Sequence, residues 1–297
     1  MEGAFRLGRF PLFALMVSFA MAALWGCGTS NRYAKTNKIY KRQVKAAAEQ
    51  LAQPLPPPVP APHIVYNPTA DTLVITATEQ PEKGPWVGTV HFNLRKPNYV
   101  VIHHTAQDSL EQTLHTFTVP HTQVSAHYVI GRNGEIYQML NDYLRAWHAG
   151  AGKWGGVTDI NSVSLGIELD NNGSEPFTEA QIFSLLGLLE RLKTAYNIPA
   201  ANFLAHGDIA PTRKSDPSAF FPWKRLADRG FGLWPDDHLV PPPENFNARD
   251  ALRIIGYDLT DFDAAVAAFK RRYVPHDASP ILTPEDLKIL YNLYLRF

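Results

Sequence analysis

A chain of 297 residues is long enough for one large domain or two and for a sizeable core. Its composition, 45% hydrophobic and 19% charged, is that of a folded globular protein with disorder confined to local segments. Lys+Arg and Asp+Glu both number 28, so the formal net charge is zero and no bulk electrostatic argument favours a nucleic-acid partner.

Residues 1–26 read as an export signal: Arg6 and Arg9 make a positive start, and Leu12 to Ala23 is an apolar run broken only by Ser18. The run falls short of the roughly 20 residues needed to span a bilayer. Cys27, the only cysteine, follows in Leu24-Trp25-Gly26-Cys27, which resembles the bacterial lipobox whose cysteine is lipidated. A plain secretory signal or a buried thiol is the alternative. A single cysteine excludes any intramolecular disulfide and any thiolate-rich metal site. Residues 27–62 form a tether, with basic residues from Arg32 to Lys45 and six prolines between Pro54 and Pro62. It reads either as a segment for an anionic membrane surface or as a solvated helix leading into a stiff spacer.

Residues 63–98 carry little pattern beyond a short strand at Leu73-Val74-Ile75. From Tyr99, strands and helices alternate. Val100 to His103 is a buried strand, and Asp108 or Ser109 caps a helix presenting Leu110, Leu114 and Phe117. Ser125 to Gly131 and Glu135 to Leu140 form a hairpin about Arg132-Asn133-Gly134. Val163 to Leu169 is a central strand. Thr178-Glu179-Ala180-Gln181 is a capping box opening a helix that buries Ile182, Phe183, Leu185, Leu186, Leu189 and Leu192. Phe203 to His206 is a further strand. The fold class is α/β, a mixed central β-sheet flanked by helices over 63–236. Pro241-Pro242-Pro243 separates a small three-helix domain, 245–297: Asn247 to Gly256, Asp261 to Tyr273, and a helix from Thr283-Pro284 carrying Leu287, Leu290, Tyr291 and Leu295. Helices this short are marginal alone, so the tail is expected to pack on the main domain.

Two segments carry chemistry. Ile102-His103-His104-Thr105 ends an apolar strand with paired imidazoles, and the loop from His206 to Pro217 holds Asp208, Lys214 and Asp216. Two imidazoles and a carboxylate suit zinc, with a fourth position left for water. Successive strand side chains point to opposite faces, so one of His103 and His104 faces such a metal, and the pattern alone does not choose. Amide hydrolysis also needs a base and a cation for the developing oxyanion. Glu168, near the end of its strand, is the candidate base, and Lys214, beside Asp216, the candidate cation.

The segments Val101 to Ala106, Ser125 to Ile130, Ala146-Trp147-His148-Ala149-Gly150, Ser164 to Leu169 and His206 to Pro217 together resemble the zinc-dependent type-2 N-acetylmuramoyl-L-alanine amidases, which share a fold with peptidoglycan recognition proteins. The likeness runs from Tyr99 to Trp234 in the same order. It implies one zinc ion per chain on His103, His206 and Asp216, with Glu168 as acid/base, Lys214 as the cation and Asp208 as a supporting carboxylate. It also implies substrate contacts: Trp147 and His148 at a glycan or peptide, Asn161 at the stem peptide or bracing its loop, and Arg213 at a stem-peptide carboxylate or pairing within its loop. His127 reads as structural. The tail resembles a three-helix peptidoglycan-binding module through Leu252 to Tyr257 and Ala267 to Tyr273.

The expectation is an exported lipoprotein, anchored by lipid on Cys27 to the outer membrane and facing the periplasm. It hydrolyses the bond between N-acetylmuramic acid and L-alanine in peptidoglycan or muropeptides. The alternatives are a non-catalytic muropeptide-binding protein, which typically lacks part of the metal set, and a plain tether between membrane and wall, which leaves that set unexplained.

Overall fold

The computed structural model describes residues 32–51, 63–67, 72–76, 94, 96–277 and 279–297. The expected export signal, Cys27 and the proline-rich stretch lie outside the described residues. The chain forms two compact units, Met1–His91 and Phe92–Phe297. The first contains helix α1 (Ala34–Leu51), which has no buried residue, and an antiparallel pair, β1 (His63–Asn67) and β2 (Thr72–Thr76). Among the described residues, no helix is long and apolar enough to cross a membrane.

The second unit is built on a five-stranded mixed sheet of β3 (Tyr99–His104), β4 (Tyr128–Ile130), β5 (Ile136–Gln138), β6 (Ser164–Leu169) and β7 (Phe203–Ala205). Their spatial order is β5-β4-β6-β3-β7. β3 runs parallel to both β6 and β7, which is why it reads as an unbroken apolar run: Val100, Val101 and Ile102 have no exposed surface. The expected hairpin forms as β4 and β5 but is shorter than the alternating pattern. Before Tyr128, the amides of Ser125 and His127 already bond Trp147 and Gly166.

Helix α2 (Leu110–Thr116) starts at Ser109, whose hydroxyl accepts from the Gln112 amide. Helix α3 (Glu179–Tyr196) covers one sheet face behind the Thr178/Gln181 capping box and buries Ile182, Leu185, Leu188, Leu189 and Leu192. Phe183, expected inside, is 76% exposed. At about 100° per residue it falls outside the stripe of Ile182, Leu185 and Leu189.

After the short helices α4 (His206–Ile209) and α5 (Trp223–Ala227) come α6 (Ala248–Ile255), α7 (Phe262–Tyr273) and α8 (Pro284–Tyr294). Asn247, Asp261 and Thr283 cap them. Leu290 is buried, whereas Leu295 lies past the end of α8 and is exposed. Leu252, Val266 and Phe269 of the tail share one core with Val101, Ile160, Leu204 and Ile209 beneath the sheet. Gly256 permits this approach: it has φ 131°, and a Cβ there would lie 2.5 Å from the Trp154 ring. The tail therefore packs on the main domain.

Because the core is shared, tail and sheet should unfold together. Leu252→Ala and Leu165→Ala should each cost about 2–5 kcal/mol and shift one common calorimetric transition, while Phe183→Ser should stay within about 0.5 kcal/mol. Separate transitions for Leu252→Ala would show an independent tail.

Candidate active site

Three parallel strands end at one edge. His103 is the next-to-last residue of β3, Glu168 stands opposite it in register on β6, and His206 follows β7 directly. Registered partners point to the same face, and carboxyl ends of parallel strands are where α/β sheets place ligands. The loop after α4 returns to this edge because the Gly207 amide bonds the Asp216 carbonyl at 2.8 Å. A Cβ on Gly207 would come 3.3 Å from the Lys214 carbonyl.

The Nδ1 atoms of His103 and His206 lie 2.9 Å apart, and Asp216 Oδ2 is 3.2 and 3.0 Å from them. A tetrahedral ion with bonds near 2.0–2.1 Å separates its ligands by about 3.3 Å, close to this spacing. The hydrogen-bond chains behind the two rings decide which of their nitrogens carry lone pairs. His206 Nε2 is 3.3 Å from the Ala149 carbonyl, which only accepts, so that nitrogen carries the hydrogen and Nδ1 is bare. For His103 the chain is longer. Ser164 Oγ donates to the Ile160 carbonyl at 2.7 Å and accepts from His148 Nε2 at 3.1 Å; His148 Nδ1 then accepts from His103 Nε2 at 3.1 Å. His103 Nδ1 is thereby bare as well. Two lone pairs and a carboxylate oxygen facing one point repel unless a cation sits among them, so the residues fit a divalent metal of zinc's size.

Burial, reinforced by His206, lowers the His103 pKa to about 4 and keeps the ring neutral. Burial likewise holds His148 well below its ordinary value. Glu168 is pushed up to about 8 by burial and then by the Asp216 carboxylate, with Lys214 pulling the other way. Its Oε2 is buried without a hydrogen-bond partner among the described residues.

Above these groups opens a cleft of about 340 Å³. Trp147, 52% exposed, stands on its rim, and Lys214 and Arg213 line it. Arg213 also donates to the Ala149 carbonyl at 3.3 Å. His104 lines the cleft but points its Nδ1 at the Ser218 amide, 3.2 Å away. His148 borders the cleft and is mostly buried behind His103. Asn161 lies under the loop, where its Oδ1 accepts from the His148 and Ala149 amides at 3.0 and 2.9 Å. His127 accepts from the Gly166 amide and bonds the Leu144 carbonyl. Gly166 makes room for the relay: a Cβ there would meet the His148 ring at 2.4 Å. Ser164 and Gly166 were missed by sequence reasoning, since a small residue in a strand does not announce which ring lies over it.

The family model for N-acetylmuramoyl-L-alanine amidase matches residues 93–219. The chain is 38% identical to the N-acetylmuramoyl-L-alanine amidase AmiD of Escherichia coli K12, over 54% of this chain and 66% of that protein, a little under two thirds of its length. It is 33% identical to the 1,6-anhydro-N-acetylmuramyl-L-alanine amidase AmpD of the same organism, over 57% of this chain and 88% of that one. The structure of E. coli AmiD with the substrate anhydro-N-acetylmuramic acid-L-Ala-D-γ-Glu-L-Lys superposes with a TM-score of 0.61 at 29% identity, covering 79% of this chain and 98% of that one. Fold, strand-end chemistry and relatives agree, and the chain belongs to the N-acetylmuramoyl-L-alanine amidase family of enzymes.

Proposed function

We propose that the chain is a zinc-dependent amidase that hydrolyses the bond between the lactyl carbonyl of N-acetylmuramic acid and L-alanine of the stem peptide, in peptidoglycan or muropeptides. The observation that carries this is the convergence of His103, His206 and Asp216 at one strand edge beside Glu168, whose Oε2 has no hydrogen-bond partner among the described residues. AmiD's complex with an anhydromuramyl peptide supports the muropeptide as substrate class.

Zinc on the triad supplies positive charge that polarises a carbonyl oxygen and acidifies water. The side chains do the rest. Glu168 takes a proton from the attacking water and returns it to the leaving nitrogen. Its raised pKa suits a group that must hold a proton between those steps. The Lys214 ammonium, on the same cleft wall, stabilises the oxyanion that grows on the lactyl carbonyl. Trp147 offers a ring face to the sugar, Arg213 a guanidinium to a stem-peptide carboxylate. His148 and Asn161 serve from beneath, holding His103 and the loop that carries Trp147.

The apolar run before Leu24-Trp25-Gly26-Cys27 supports export and lipid anchoring at the outer membrane, with the tail as a wall-binding element. Cys27→Ser should move the protein from the membrane to the soluble fraction and remove acyl mass. Unchanged fractionation without acyl mass on the wild type would refute the anchor.

Chelation should abolish release of stem peptides, and zinc should restore it. His206→Ala and Asp216→Ala should lose both metal and turnover, read by metal analysis and by mass spectrometry of the products. Full activity without metal would sink the mechanism, and muropeptide binding without hydrolysis would make the chain a binding module.

Glu168→Gln should keep zinc while turnover falls by a factor on the order of 10² or more. The same substitution bears on stability. A carboxyl raised from 4.5 to about 8 binds its proton more tightly folded than unfolded, so it erodes stability as pH rises through that window. Metal-free Glu168→Gln should therefore be more stable than the wild type at pH 8, by about 3–4 kcal/mol, and no different near pH 4. Urea unfolding at both pH values tests this, and equal stability at pH 8 would contradict it.

A further inference from the structure

We propose that Arg272 and Tyr257, in the carboxy-terminal helices, are positioning residues for the metal ligand His206, acting through Asp208. The three helices are then part of the catalytic centre as well as an appendage to it. The inference rests on the reading that zinc sits on His103, His206 and Asp216.

His206 opens α4, a single turn of four residues. Within this segment the Ala210 amide closes the turn onto the His206 carbonyl at 3.0 Å, and Asp208 Oδ2 accepts the Ala205 amide at 2.9 Å. The other side-chain partners of Asp208 come from the tail. Arg272 Nη1 donates to Oδ2 at 2.5 Å and the Tyr257 hydroxyl to Oδ1 at 3.1 Å. Asp208 is 1% exposed and Arg272 5%. Arg272 Nη2 also donates to the Phe203 carbonyl at 3.0 Å, so one guanidinium holds the chain on both sides of His206. Its plane is fixed in turn by the Trp223 ring, whose centroid lies 4.0 Å from Cζ.

Two glycines mark how closely the elements approach. A Cβ on Gly207 would lie 2.9 Å from Arg271 Nη1, and one on Gly232 2.6 Å from Arg272 Nη2. Tyr257 extends the latch to the second loop of the site. Its ring packs edge-on against Trp154 at 4.9 Å, and the neighbouring Lys153 amide bonds the Ile209 carbonyl of α4 at 2.7 Å. Apolar packing alone would attach the tail. A buried ion pair with a directional fork does something packing does not: it admits one orientation of the turn, and breaking it leaves a charge stranded beside a metal ligand.

The test compares zinc affinity, by chelator competition, with amide exchange of Ala205 and Gly207 in the metal-free full chain. Tyr257→Phe, which removes one hydroxyl and keeps the ring, should weaken zinc binding about 3–10-fold. Arg272→Lys and Arg272→Ala should weaken it about 10–100-fold. In each, both amides should exchange faster. Leu290→Ala, in the tail core away from the latch, should lower the melting temperature yet keep zinc affinity within about twofold. If Arg272→Ala does not fold, Tyr257→Phe and Arg272→Lys decide. Wild-type affinity and unchanged exchange in those two would overturn the inference. A wild type that binds no zinc, or a His206→Ala variant that still binds it, would sink the metal reading instead, leaving exchange at Ala205 to judge the latch.

Discussion

Hydrogen bonding of β3 in parallel to both neighbours is the constraint on which the site depends. It aligns the ends of three strands, so that His103, Glu168 and His206 arrive at one edge without any loop having to carry them there. Strand register, set by an apolar pattern buried on both faces, thus also sets the geometry of the chemistry. A slip of one residue would turn His103 to the far face and bring His104 in its place.

Around this edge the protein buries several polar side chains, and most are joined by directional bonds. His148, Ser164 and the Ile160 carbonyl form a chain of one-way bonds ending at His103, while the Ala149 carbonyl does the same for His206. Ala149 is held by Asn161, whose oxygen collects two successive amides of that loop. Glu168 stands apart from these bonded groups: its Oε2 is buried with no hydrogen-bond partner among the described residues, as is the Ser218 Oγ beside the cleft.

Much of this was legible in the sequence, for local reasons. His103, Glu168 and His206 each sit near the end of an apolar run, and Lys214 and Asp216 share a short loop with His206. The caps at Ser109, Thr178, Asn247, Asp261 and Thr283 are where side-chain oxygens precede apolar periodicity. What was not legible depends on partners distant in the chain. Phe183 is apolar and helical, yet only the sheet's position decides which side of α3 is covered. Lys270 and Arg272 stand in the last turn of α7, where sequence alone assigned them no partner, and are buried against Asp277, Asp286 and Asp208. No local pattern distinguishes a basic residue facing water from one facing a carboxylate sixty residues away.

The one-way bonds behind the two imidazoles have a consequence for proton exchange. A metal site usually sheds protons as it fills, and its affinity falls as acid competes for the ligands. Here backbone carbonyls have already assigned each ring its hydrogen on the side away from the triad, and burial holds His103 near 4. Filling such a site displaces few protons from His103. A site built this way keeps its ligand ready in mildly acidic surroundings, where an exposed histidine would be carrying a charge.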